Sequence, residues 1–143
     1  MYLEKELLSS KLSSKSFPRH GERLTNFSKL KFDLPMLIEN MKHEPGWEKG
    51  ELNSMILLKS PEKKIILTIM HEDTEVRSAQ VNSSVTFQVI EGKLIFHIRE
   101  ESIILKNGES LTIYEKVKYK FDSMEESSFI LTLIDHNGIE GQL

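Results

Sequence analysis

From Leu52 onward the chain sets apolar and polar positions against each other in short runs separated by turn residues. LNSMILLK leads through a turn at Ser60-Pro61-Glu62 into KKIILTIMH. VTFQVIEGKLIFHIRE reads as a hairpin turning at Glu91-Gly92, SIILKNGES turns at Asn107-Gly108, and LTIYEKVKYKFDS and SSFILTLID complete the series. Seven or eight strands, with turn signals about every 8–12 residues and no helical period between them, predict an all-β antiparallel sandwich or barrel. In the central pair Val85, Phe87 and Val89 share one face, and beyond the turn Leu94, Phe96 and Ile98 do the same; both sets are predicted core. The opposite set, Thr86, Gln88, Ile90, Ile95, His97 and Arg99, is half-polar and suits an outer face or a subunit interface.

The chain ahead of Leu52 has a different texture. Residues 1–31 are rich in Ser and Lys, and their one periodic feature is Leu3, Leu7, Leu8 and Leu12 on a common helical face. A short docking helix and a frayed tail both fit that pattern. In FDLPMLIENMKHEPGW, Asp33 is placed to cap a helix, Pro35 falls in the first turn, and Leu34, Leu37, Ile38 and Met41 share a face. The prediction is one helix over about 34–42, ended by Pro45-Gly46.

Composition narrows the classes. At 143 residues and 16.6 kDa the chain makes one domain. The 19 Lys and Arg against 22 Asp and Glu give a net charge of −3, which offers no electrostatic footprint for nucleic acid or an anionic membrane. Cysteine is absent, which removes disulfides, thiolate nucleophiles and Cys-ligated zinc. The longest apolar run is MILL at 55–58, too short to span a bilayer, and no apolar signal-type stretch opens the sequence, so a cytoplasmic location is the expectation.

The stretch from about Met55 to Ile134, somewhat over half of the chain, resembles the cupins, specifically the small single-domain RmlC-like conserved-barrel kind. VTFQVIEGKLIF resembles that family's glycine-turn motif. ESIILKNGESLTIYEKVKYKFDS resembles its second motif, and EESSFILTLI its closing strand. The resemblance implies a jelly-roll barrel over about 50–135, within a single domain of residues 32–143 that follows the polar segment 1–31. It also implies a homodimer. Most cupins hold a divalent metal with two His one residue apart, a Glu, and a later His, a set that suits iron, manganese, nickel or zinc. With Gly92 setting the register, the Glu position falls on Val85. The paired His fall at or near Ser78 and Gln80 (Ala79 and Val81 on a one-residue shift), and the last His falls on Tyr119. Gly108 matches the second motif's opening Gly, Glu109 replaces its Asp, Tyr114 its Pro and Lys116 its loop Gly. The resemblance therefore implies a barrel without the usual metal, and no cofactor is expected.

The remaining candidates are few. His20, His43, His71, His97 and His136 show no H-x-H or H-x₃-H spacing. His71 ends a strand in which Ile65, Leu67 and Ile69 share its side; it reads either as a solvated or hydrogen-bonded strand end or as a residue at the barrel mouth, with Glu72 or Asp73 beside it for a displaced metal. His97 reads as packing at an interface. PRHGER at 18–23 superficially resembles a phosphohistidine phosphatase motif, but that motif needs an α/β setting and the match is read as coincidence. Tyr119, beside Phe121 and Val85, is either core filling or a polar anchor over an apolar pocket, with Gln80 and Ser78 nearby. Lys63, Lys64, Lys116, Lys118 and Lys120 read as solvated or edge-protecting charges.

Three functions follow in order. The first is a non-catalytic module that binds or senses a small molecule through Ser78, Gln80, Val85, Phe87, Tyr119, Phe121 and His71. The second is a small enzyme, isomerase- or epimerase-like or using a displaced metal. The third is a structural or partner-binding protein with a filled barrel.

Overall fold

The computed structural model describes residues 29–78, 83–114 and 117–135. Leu3, Leu7, Leu8 and Leu12, the PRHGER stretch, Gln80, Lys116 and His136 lie outside the described residues. Two helices lead in, α1 (Leu34–Met41) and α2 (Pro45–Lys49). Among the described residues nine strands follow: β1 (Leu52–Lys59), β2 (Lys63–Met70), β3 (Glu75–Arg77), β4 (Ser83–Glu91), β5 (Lys93–Ile98), β6 (Glu101–Lys106), β7 (Ser110–Ile113), β8 (Tyr119–Ser123) and β9 (Ser127–Asp135).

The strands build two antiparallel sheets, ordered β1-β2-β9-β4-β7 and β3-β8-β5-β6. This confirms the all-β expectation and corrects two details within it: the described strands number nine rather than seven or eight, because LTIYEKVKYKFDS divides between β7 and β8, and the chain does not turn back on itself at Glu91-Gly92. Glu91-Gly92 is not a hairpin turn, because β4 pairs with β7 and β9 whereas β5 pairs with β6 and β8. Gly92 instead carries the chain from one sheet to the other. Its φ of 112° lies where side chains are rarely accommodated, and its N–H donates to Asn107 Oδ1 at 2.7 Å.

One apolar layer fills the space between the sheets, with Val85, Phe87, Val89, Leu94 and Phe96 at its centre as the alternation predicts. A second layer lies outside the five-stranded sheet, where Ile38, Met41 and Trp47 of the helices cover Met55, Leu57, Leu67 and Ile69. Burying each such side chain contributes about 1.5–3 kcal/mol. Asp33 caps α1 as expected, its carboxylate accepting from Met36 N at 3.2 Å. Pro45-Gly46 ends α1 but also opens α2, since a proline suits a first helical turn. Asn53 ties both helices to β1: its Nδ2 donates to Met41 O at 3.1 Å and to Glu44 Oε1 at 2.6 Å. Among the described residues no helix is long and apolar enough to cross a membrane.

Candidate functional site at the barrel mouth

Strand directions place several chain reversals at one end of the sandwich. There β1 ends at Lys59 and β2 begins at Lys63, β3 ends at Arg77, β4 begins at Ser83, β7 ends at Ile113, β8 begins at Tyr119 and β9 ends at Asp135. This end is the mouth. The inward positions nearest to it form one row across the five-stranded sheet: Lys64 pairs with Leu133, Leu133 with Val85, and Val85 with Ile113.

Below that row the interior is aromatic. Phe87 stands 4.7 Å from Phe96, 5.0 Å from Phe121, 5.8 Å from Phe129 and 5.9 Å from Tyr119, measured between ring centroids. Phe96 and Phe121 stack at 5.0 Å and 25°. These offset and edge-on arrangements add to the stability that burial supplies. A void of about 10 Å³ remains deeper in, between Thr68, Met70, Val76, Phe87 and Phe121, room for about one water molecule.

Val85, Phe87, Tyr119 and Phe121 are thus brought together, as the sequence predicts. Tyr119 is only 8% exposed and its ring belongs to the central cluster, so its apolar body fills the core. Ser78 is buried, and its hydroxyl oxygen accepts from Tyr119 N at 3.0 Å while its own N–H donates to Tyr119 O at 2.9 Å. Both bonds prolong the β3–β8 ladder past Arg77. Among the described residues, those at the matched positions do not fit the metal of most cupins; Gln80, the remaining position, lies outside them. Val85 has no donor atom, Tyr119 packs against phenylalanines, and the Ser78 hydroxyl serves the backbone. Among the described residues no cluster of three or more His, Asp or Glu side chains forms a metal site elsewhere.

His71 is a hydrogen-bonded strand end, and its alternative placement at the barrel mouth is corrected. Ile65, Leu67 and Ile69, which share its side, face the helices, whereas Ile66, Thr68 and Met70 face the interior. His71 accordingly leaves the barrel and stacks on Trp47, with ring centroids 3.5 Å apart at 15°. Its Nε2 lies 2.7 Å from Trp47 O, and since a carbonyl only accepts, Nε2 carries the proton. The displaced-metal reading through His71 loses its geometric basis.

His97 lies on the outer face of the four-stranded sheet, with Nδ1 3.1 Å from Ser102 Oγ and Nε2 3.4 Å from Asp122 Oδ2. Ile90 does not join it in one surface, because β4 belongs to the other sheet and Ile90 packs into the helix-covered layer.

Sequence reasoning missed Lys64. It is half-buried, and it shares the inward parity of Ile66, Thr68 and Met70. Burial, and secondarily the charge of Lys59, push its pKa below the ordinary lysine value. Lys59 stands directly opposite it on β1.

No family model matches the sequence, and no curated protein matches it. Solved structures do. A cupin superfamily protein from Desulfitobacterium hafniense is 13% identical, covering 59% of this chain and 77% of that one with a TM-score of 0.56. A cupin-2 domain protein from Shewanella frigidimarina is 17% identical over 71% of this chain and 91% of the other, with a TM-score of 0.57. A conserved Streptococcus pyogenes protein of unknown function is 14% identical over 76% and 89%, with a TM-score of 0.60. Two antiparallel sheets enclosing an aromatic core, joined at Gly92 and matched by these structures, give this chain the cupin fold.

Proposed function

We propose that this chain is a non-catalytic cupin-fold module that binds a small molecule, without a metal, at the mouth of its barrel. The observation that supports this most is the change of character along the inner wall. A packed aromatic floor gives way at the mouth to Leu133, Val85 and Ile113 beside one half-buried polar side chain, Lys64. Apolar walls with a few placed polar groups are the usual makeup of a ligand site, and this row supplies residues of both kinds. The floor restricts the ligand to the rim.

The test is thermal unfolding across a panel of organic acids, sugars, nucleotides and amino acids. A ligand at 100 times its Kd adds about 2.7 kcal/mol, or roughly 5–10 °C for a domain of this size. A flat response to every class would refute the reading. A filled barrel acting through its outside would then take its place, a second reading favoured by the void of about 10 Å³ where ligand pockets have several hundred. The homodimer is part of the same proposal, and sedimentation should give twice the 16.6 kDa chain mass.

A further inference from the structure

We infer that β6 pairs antiparallel with β6 of a second copy of this chain, with Ile103 on the two-fold axis. The inference rests on the homodimer reading and supplies its surface and register. β6 is one edge of the four-stranded sheet, and the loop before it fixes which way its backbone groups point. Residues 99 and 100 join β5 to β6 as a two-residue loop, which makes Ile98 and Glu101 a hydrogen-bonded pair. Pairs alternate along an antiparallel ladder. Phe96–Ile103 and Leu94–Leu105 are therefore bonded, whereas His97–Ser102, Ile95–Ile104 and Lys93–Lys106 are not. Ser102, Ile104 and Lys106 accordingly turn their N–H and C=O groups away from β5. Lys106 finds partners there: its N–H donates to Glu109 Oε1 at 2.8 Å, and its oxygen accepts from Glu109 N at 2.9 Å. Among the described residues, the backbones of Ser102 and Ile104 have no partner on that side.

The other described strand edges are short or interrupted, the usual protection against pairing with another chain. β1 is broken by a bulge between Ile56 and Leu58, and Asn53 Oδ1 takes Ser54 N at 3.0 Å. β3 has three residues and β7 four. β6 has six, carries its charges only at its ends, and leaves Ile104 45% exposed. Its own sequence suits it to a second copy. With Ile103 facing Ile103 of the partner subunit, Ser102 of each copy lies opposite Ile104 of the other. Those pairs exchange both of their bonds, which uses every backbone group that Ser102 and Ile104 leave open. Moving the axis to Ile104 would instead set Ser102 against Lys106, whose groups Glu109 already holds. Antiparallel pairing also brings the Glu100-Glu101 end of each strand beside Lys106 of the other, placing opposite charges together. On the outer face Ile95 and Ile104 of both copies then form one apolar stripe.

The chain has no cysteine, so single introduced cysteines report the register without background. A non-hydrogen-bonded antiparallel pair holds its Cα atoms about 4.5 Å apart, within disulfide reach. The two copies of Ile104 would be diagonal neighbours about 7–8 Å apart, beyond that reach. Under mild oxidation Ile103→Cys is expected to give a covalent dimer on a non-reducing gel, and Ile104→Cys to stay a single chain. Ile104→Pro is the complementary variant, because the N–H it removes bonds nothing within the sheet and an edge strand tolerates proline there. Sedimentation at about 100 μM should fall from twice the 16.6 kDa chain mass in wild type to the chain mass in Ile104→Pro, with the circular dichroism spectrum unchanged. If proline perturbs that spectrum, the cysteine pair decides alone. A dimer that persists in folded Ile104→Pro, no cross-link in Ile103→Cys, or a cross-link in Ile104→Cys instead would overturn the inference and leave the homodimer standing on another surface. Wild type sedimenting as a single chain would remove the homodimer reading as well.

Discussion

Gly92 and Gly108 both have positive φ, 112° and 81°, yet their surroundings differ, and the pair isolates what the corner between the sheets requires. A Cβ at Gly92 would come within 2.6 Å of Ser127 Cα and 2.7 Å of Glu126 O, whereas at Gly108 nothing lies within 4 Å. Gly108→Ala should therefore cost only the backbone strain of the conformation, about 1–2 kcal/mol. Gly92→Ala carries that strain and must also push the β8–β9 corner away. There Ser127 Oγ accepts from Lys93 N at 3.0 Å and donates to Glu125 O at 2.7 Å. Displacing packed backbone costs typically a further 1–3 kcal/mol, so the total is about 2–5 kcal/mol. At roughly 3–4 °C per kcal/mol for a domain of this size, Tm should fall by about 6–20 °C for Gly92→Ala and about 3–8 °C for Gly108→Ala. Urea unfolding followed by circular dichroism gives both values, with unchanged m expected if only the folded state is strained. Equal losses, or a Gly92→Ala variant within about 1 kcal/mol of wild type, would refute a corner closed by backbone contact.

Three further outcomes follow from individual contacts. Asn53→Ala removes the bonds to Met41 O and Glu44 Oε1 and the acceptor of Ser54 N, and should cost about 2–3 kcal/mol in urea unfolding by loosening both helices. His71→Ala loses the Trp47 stack and one hydrogen bond, so about 1–3 kcal/mol of stability should go while any ligand affinity measured by titration stays unchanged. Lys64 has a folded pKa below its ordinary value of 10.5, so the unfolded chain holds the proton more tightly and stability should rise with pH just below 10.5. Unfolding curves taken through that range should show the rise in wild type and a smaller one in Lys64→Met.

The strand alternation of β4 and β5 was legible because polar residues separate the apolar ones, and Val85, Phe87, Val89, Leu94 and Phe96 duly line the interior. In β2 it was not. IILTIM is apolar on both faces because helices cover the outside, so the sequence does not say which parity faces in. That ambiguity turned His71 towards the barrel and hid Lys64, whose inward parity shows only once Ile66 and Met70 are seen inside. Glu91-Gly92 carries the same signal as a hairpin, since a glycine with positive φ serves a sheet-to-sheet corner as well as a turn. The helix α2 was masked by Pro45-Gly46, a pair that reads as a stop although proline also begins helices. At the candidate site the matched positions Val85 and Tyr119 are legible as core from residue type alone, whereas the cation above them depends on cross-strand pairing that no local pattern reveals.

The central claim is that apolar and aromatic packing stands where most cupins hold a metal, and elemental analysis of untagged protein purified without chelator tests it most directly. Val85 and Tyr119 in the core lead to an expectation of less than about a tenth of an equivalent of iron, manganese, nickel or zinc per chain. A near-stoichiometric content of any of these would contradict the claim.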